Sequence, residues 1–304
     1  MSTEKKIHLS QLATEQENPA SSELSSLPLS EALQLMHRED MRAVACVESQ
    51  LPIIERIIEH TSKALQQGGR IIYVGAGTSG RLGVLDAVEC PPTFSIEYDR
   101  VIGLIAGGEK AFVKAVEGAE DSVEAAQQDL IALELTACDV VIGIAASGRT
   151  PYVIGALKYA KQVGCQICSI VCTLNSPIKE ICPLTVELLP GAEVLTGSTR
   201  LKAGTVTKLV LNMISTLSMV KIGKVYKNYM VDVKISNQKL YARALNIIQR
   251  VTGCSEKVAE EKLKEANKSV KLAIAMILTH TDAKQAKDLL QRAEGKIEKI
   301  KELC

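Results

Sequence analysis

The chain has no tryptophan, and aromatic residues make up only 3% of it. Its core must therefore be aliphatic, and a hydrophobic content of 46% over 304 residues is ample for one large domain with a small appendage. An excess of either charge is also missing. The formal net charge is +1, and Lys and Arg are spread rather than clustered, which argues against nucleic acid or an anionic membrane as partner. No uninterrupted apolar run reaches the ~18–20 residues of a membrane span, and the polar N-terminus lacks the apolar core of a signal peptide. A cytosolic protein is expected. Histidine is scarce too: His8, His37, His60 and His280 lie far from every motif and receive no role.

Cysteine is not scarce, with nine residues set mostly inside apolar segments. An odd number scattered through a long chain reads as reduced thiols packed as small core residues. Cys165, Cys168 and Cys172 are spaced like a metal cluster. They fall, however, in a strand pattern, where side chains alternate faces and do not converge, and no histidine completes a zinc set. No metal is expected.

What is abundant is an alternation of Val/Ile-rich strands with helical segments. Strands are expected at RIIYVG, 101–108, 139–148, 165–173 and 185–190. Helices are expected at about 79–89, 109–117, 121–134 and 151–163. Nearly continuous apolar strands separated by helices predict a doubly wound α/β fold, a parallel five-stranded sheet covered on both faces. Two helices precede it over residues 29–67, with Pro52 opening the second. A long apolar helix follows over 199–225, broad enough to hint at a subunit interface. Charged helices then succeed one another, with a small three-helix bundle from about residue 254. The expected division is an N-terminal arm over 1–27, an α/β domain with its N-terminal helices over 28–236, and a helical region over 237–304.

Two loops carry the chemistry. Gly75-Ala76-Gly77-Thr78-Ser79-Gly80 follows the first strand and opens a helix, a geometry that wraps backbone N–H groups around an anion. Its glycine spacing also matches a dinucleotide fingerprint, for which Glu109 would have to supply the ribose contact. After the third strand comes Ala146-Ser147-Gly148-Arg149-Thr150, again small and hydroxyl-rich. With strand order 2-1-3-4-5, both loops face one crevice at the switch point, which suits a phosphorylated sugar better than a dinucleotide. Thr78, Ser79, Ser147 and Thr150 are the expected phosphate or hydroxyl contacts, and Gly77 and Gly148 are expected among the substrate-binding residues with them. Arg149 is either a contact or solvent-exposed.

Two such loops on this sheet resemble the SIS domain, a phosphosugar-binding module. Four longer runs resemble the N-acetylmuramic acid 6-phosphate etherase family: GAGTSGRLGVLDAVECPPTF, GLIAGGEKAFVKAVEGAEDS, DVVIGIAASGRTPYVIGAL and GSTRLKAGTVTKLVLNMIST. The likeness covers nearly the whole chain, down to Tyr229-Met230-Val231-Asp232 and the helical tail. One departure is Val88, where the family often has Ser. The more distant glucokinase regulatory protein has the same domain architecture duplicated.

The resemblance implies cleavage of the C3 lactyl ether of N-acetylmuramic acid 6-phosphate, giving N-acetylglucosamine 6-phosphate and D-lactate. It implies no cofactor, and a homodimer. Such an elimination needs a base for the C2 proton and an acid for the ether oxygen, and the matching residues are Glu89 and Glu120. Glu89 is expected at the C-terminal end of the first loop's helix, before a Pro91-Pro92 stop. The helix dipole would there raise its pKa and suit it to be the acid. Glu120 sits in a break between helices. The division of acid and base between the half-steps stays open. Ser198, Thr199, Arg200 and Lys202 open the long helix, as contacts to the sugar's phosphate or carboxylate or simply as caps. Two other functions remain open, a non-catalytic phosphosugar-binding regulator and an aldose–ketose isomerase.

Overall fold

The structure, a computed structural model, describes residues 13–235, 237–300, 302 and 303. The chain divides into two compact units. One comprises the described residues up to Ala87 with Val101–Ile214; the other comprises Val88–Arg100 with the described residues from Ser215 onward.

In the first unit, α1 (Leu29–Ala45) and α2 (Leu51–Gln66) precede the sheet. α2 begins with Pro52 in its first turn and buries Ile54, Ile57, Ile58 and Leu65, which recur at helical spacing. Then come β1 (Ile71–Gly75), α3 (Gly77–Phe94), β2 (Val101–Ile105), α4 (Glu109–Val113), α5 (Val123–Ala132), β3 (Val140–Ile144), α6 (Pro151–Val163), β4 (Gln166–Val171), α7 (Pro177–Ile181) and β5 (Thr185–Glu187). All strand pairs in this sheet are parallel, in the order β2-β1-β3-β4-β5. Every residue of β1 and β3 is buried, which is why their sequences are continuously apolar rather than alternating. On one face Ile72, Val74 and Val141 pack with Tyr152, Val153, Ala156 and Leu157 of α6 and Ala126 and Leu130 of α5.

β1 ends at Gly75 as its pattern predicts, whereas β2, β3, β4 and β5 end short of their apolar runs. After β2, Gly107 and Gly108 adopt φ of +87° and +71°, and the chain turns out of the sheet. At the opposite, N-terminal end of the strands Arg70 ties β1 to β3. Its amide and Nε donate to Asp139 Oδ1 at 2.9 and 3.1 Å, and its Nη2 to Oδ2 at 2.8 Å. Burial by itself pushes the Asp139 carboxyl up, but the Arg70 guanidinium and the Thr136 amide outweigh it and hold it below the usual range.

The segment before α1 is more ordered than an arm. Residues 13–26 form three short 3₁₀ turns, and Asn18 Nδ2 reaches Glu39 Oε2 of α1 at 2.8 Å. Residues 1–12 lie outside the described residues.

α8 (Lys202–Lys221) is shorter than its apolar run. It is the one helix among the described residues long and apolar enough to cross a membrane, and 56% of its apolar 18-residue stretch is buried within the protein itself. In the second unit, a hairpin that the sequence pattern did not reveal pairs β6 (Val225–Tyr226) with β7 (Tyr229–Met230). α9 (Gln238–Thr252), α10 (Glu256–Glu265), α11 (Val270–Thr279), α12 (Ala283–Arg292) and α13 (Ile297–Ile300) follow. Ser255, Ser269 and Asp282 cap α10, α11 and α12, each side chain accepting the amide three residues on. The core is not closed by three helices alone, since Ala244 and Ile248 of α9 and Ile297 and Ile300 of α13 join it.

Candidate active site

The first loop owes its glycines to close packing. A Cβ on Gly75 would lie 2.6 Å from the Gly80 amide nitrogen, and one on Gly80 would lie 2.7 Å from Gly75 O and from Ile105 Cγ1. The two glycines let α3 start hard against the end of β1, and Gly77 between them has φ +53°. The fingerprint-like spacing thus has a steric origin that calls for no dinucleotide. The Gly80 amide donates to Ala76 O at 3.2 Å, whereas the amides of Gly77, Thr78 and Ser79 have no carbonyl four residues back in the helix and can meet an anion. Thr78 and Ser79 stand half-buried among them.

Register brings three loops to one level. Gly75 of β1 pairs with Ile105 of β2 on one side and Ile144 of β3 on the other. The segments that follow, from Ala76, Ala106 and Ala145, therefore leave the sheet side by side. In the third, Gly148 has φ +63°, and a Cβ there would fall 2.3 Å from Ser176 Cβ. Only glycine fits, and Ser147 and Thr150 flank it half-buried, with Arg149 exposed.

Glu120 belongs to a cavity of about 300 Å³ between the first and second loops, lined by Ala76, Gly77, Arg81, Ala106, Ala111, Ala115, Val116, Glu117, Gly118, Ala119 and Glu120. Small side chains keep it open. Gly118, at φ +72°, turns the chain into the 3₁₀ turn Ala119–Asp121, which carries Glu120 exposed. Ser122 then caps α5, its Oγ accepting from the Ala125 amide at 3.1 Å. Arg81, one turn into α3, donates from Nε to Phe112 O and from Nη2 to Ala111 O, both at 2.8 Å. It thereby fixes the end of α4, from which the chain runs on to Glu120. The cavity thus joins the α3 N-terminus, a guanidinium and two carboxylates. The Ser147–Thr150 loop does not line it.

Glu89 lies exposed on α3, and the expected helix stop is corrected. α3 continues through Pro91 and Pro92 to Phe94. Neither proline has an N–H for the carbonyl four residues back, but Thr93 Oγ1 donates to Glu89 O at 2.7 Å, and Cys90 and Phe94 are buried. Glu89 therefore stands before the last turn, to which the influence of a helix dipole is largely confined, so that argument for an acid loses its geometric basis.

The entry to α8 is also built differently from its sequence reading. Ser198 and Thr199 do not cap it. Glu193, nine residues upstream, accepts the Lys202 and Ala203 amides, each at 2.9 Å. Lys202, expected as a substrate contact, is 1% exposed, and its Nζ donates to Glu39 Oε2 at 2.8 Å. Burial pushes the Glu39 carboxyl up, but hydrogen bonds from Lys202, Asn18 and Arg42 and the ammonium charge bring it below the usual range. The Lys202 head is thus committed inside the protein, which corrects the expectation. α8 does approach the first loop, since a Cβ on Gly204 would lie 3.7 Å from Thr78 Cγ2. Ser198 is half-buried in the turn before it.

The three spaced cysteines face different neighbours. Cys165 Sγ donates to Thr136 O, Cys168 is fully buried, and Cys172 Sγ lies 3.8 Å from both Ala203 O and Thr207 Oγ1. Among the described residues no group of His, Cys, Asp and Glu could hold a metal ion. Burial pushes the Cys172 thiol up to about 12 and Cys165 to about 11.

Glu39, Glu193 and Arg81 were missed from sequence. Glu39 stands among the charged residues Arg38, Asp40 and Arg42 of α1 and carries no local signal. Arg81 had one: a cation on the first turn after an anion-type loop.

The family profile of the glucokinase regulatory protein N-terminal SIS domain matches residues 53–161, the SIS domain profile residues 117–217, and that of the C-terminal lid domain of glucokinase regulatory protein residues 227–267. The chain is 56% identical to N-acetylmuramic acid 6-phosphate etherase of Francisella tularensis subsp. holarctica, over 93% of this chain and 96% of that protein. It is 52% identical to N-acetylmuramic acid 6-phosphate etherase 1 of Bacillus licheniformis, over 96% of both chains. A crystal structure from Bacteroides fragilis, described as a phosphosugar isomerase involved in capsule formation, shares the fold. Its TM-score is 0.50 at 17% identity, over 64% of this chain and 91% of that one.

Proposed function

The chain belongs to the N-acetylmuramic acid 6-phosphate etherase family, and on that premise we propose that Glu89 and Glu120 are the two carboxylates with which it cleaves the D-lactyl ether of N-acetylmuramic acid 6-phosphate. The phosphate is held at the first turn of α3 by backbone amides with Thr78 and Ser79, helped by Ser147 and Thr150 after β3 and by Ser198 before α8. Gly77 and Gly148 supply the backbone turns. With the sugar in its open-chain form, Glu120 takes the C2 proton. The C–H electron pair becomes the C2–C3 double bond, conjugated with the substrate's own aldehyde. The C3–O bond breaks, and Glu89 protonates the departing oxygen, which leaves as the hydroxyl of D-lactate. Water then adds its hydroxyl at C3 and a proton at C2, giving N-acetylglucosamine 6-phosphate. Atoms balance with no net redox change.

The observation that carries this reading is the cavity shared by the N-terminus of α3 and Glu120. It sets an anion cradle beside a carboxylate that can act as base. An isomerase would also use one carboxylate, but it has no need of an acid for a leaving oxygen at C3. General acid–base groups contribute about 10²–10⁴-fold each. Glu120→Gln and Glu89→Gln are therefore expected to slow D-lactate release by that factor while leaving the fold, read by circular dichroism, unchanged. Near wild-type release by either variant removes that residue from the mechanism. We also read the protein as a cytosolic homodimer, without nucleic acid or membrane partners. Exposed Leu217 and Val220 on the apolar α8 support the dimer.

A further inference from the structure

The substrate of this reaction carries two anions, the phosphate and the carboxylate of the lactyl group, which hangs from C3 beside the reacting bond. Whatever site accepts that carboxylate must supply a countercharge, because Glu117 and Glu120 line the same cavity. Of the cations near the loops, Lys202 is committed to Glu39, while Arg149 and Arg200 are exposed and do not line this cavity. Among the described residues Arg81 is the only cation that lines it.

Its guanidinium is already oriented. Nε and one N–H of Nη2 are fixed on the successive carbonyls Phe112 O and Ala111 O. Of the five donors, the remaining three are the other N–H of Nη2 and both of Nη1. Together they form the end-on fork that takes a carboxylate through two parallel hydrogen bonds. None of the ion pairs among the described residues involves Arg81. Such a residue is half satisfied by backbone, held in one plane, and left with its charge unpaired beside two carboxylates.

We propose that Arg81 is the specificity-determining residue that reads the lactyl carboxylate of the substrate through its Nη1/Nη2 edge. The inference rests on the etherase reading and deepens it. Arg81 both fixes α4 and pairs the second anion, so the C3 ether oxygen is held at the cavity that contains Glu120.

The test compares two substrates, N-acetylmuramic acid 6-phosphate and its lactyl carboxamide, which is neutral at the same position. A bidentate charged pair is worth about 10–100-fold in kcat/KM, so wild type is expected to prefer the acid by that factor. Arg81→Gln is expected to abolish the preference: both substrates lose whatever the bracing of α4 contributes, and the acid loses about 10–100-fold more than the carboxamide, mainly through a higher KM. Arg81→Lys keeps the charge without the fork and is expected to retain a reduced preference. Equal kcat/KM for both substrates in wild type overturns the proposal, and needs no variant to fold. Equal losses on both substrates in Arg81→Gln also overturn it, leaving Arg81 as a brace for α4. Wild type that cleaves neither substrate refutes the etherase reading and takes this inference with it.

Discussion

Glu39→Gln is the most informative structural perturbation, because it removes the charge that buried Lys202 is paired with, along with the charge that exposed Arg42 meets, while keeping an oxygen for Asn18. The two side chains are 7% and 2% exposed and 2.8 Å apart. Breaking a buried pair by removing one partner costs about 3–5 kcal/mol, since the remaining charge stays buried without compensation. For a unit of this size that is a fall in Tm on the order of 10 °C. The reverse change, Lys202→Met, is expected at the lower end of the range. Glu39 would keep Asn18 Nδ2 and Arg42 Nη1, each at 2.8 Å. The double variant Glu39→Leu with Lys202→Met leaves no buried charge unpaired, since Arg42 is exposed to water, and is expected to recover much of the loss. Urea and thermal unfolding of the four proteins measure this directly. The pH dependence has a definite sign. The folded Glu39 carboxyl is held below its unfolded range, so its stabilisation is present above the unfolded value of about 4.3 and is lost as pH falls through the folded one. The gap between wild type and Glu39→Gln should therefore narrow in acid. A gap below about 0.5 kcal/mol at neutral pH, together with a raised KM in Lys202→Met, would refute the buried pair and restore Lys202 as a substrate contact.

Other expectations follow from single contacts. Tyr152 is fully buried and donates to Asp129 Oδ2 at 2.5 Å; Tyr152→Phe is expected to cost about 1.5–3 kcal/mol, measured by urea unfolding. Gly148→Ala places a Cβ against Ser176 at positive φ and should displace the Ser147–Thr150 loop, raising KM for the phosphosugar; unchanged KM and stability would refute it. Cysteine mapping with a thiol reagent under native conditions should label exposed Cys138 and spare Cys165, Cys168, Cys172 and Cys182, which are buried. Rapid labelling of the buried set would contradict the packing.

The fold was legible in the sequence because a parallel sheet leaves a strong record. β1 and β3 are apolar at every position, and Pro151 and Gly164 bracket α6 over the span read from the pattern. What was less legible follows from contacts between distant residues. Pro91 and Pro92 read locally as a stop, whereas buried Cys90 and Phe94 carry the helix past them. Ser198 and Thr199 read as caps, whereas Glu193 folds back to do it. Lys202 looked free because its partner Glu39 is 163 residues away. Of the site, the glycine-rich loops were visible as motifs. The cavity that joins Gly77 to Glu120 depends on the register of β1 against β2, and Arg81 gains meaning only once α4 is folded against it.

The most direct test of the chemistry is the fate of isotopes when the protein acts in ¹⁸O-labelled heavy water. Elimination at C2–C3 followed by addition of water predicts one deuterium at C2 and one ¹⁸O at C3 of N-acetylglucosamine 6-phosphate, with unlabelled oxygen in the D-lactate. Cleavage on the lactyl side of the ether would instead put ¹⁸O into lactate and leave C2 protonated, and that result would contradict a mechanism built on Glu89 and Glu120.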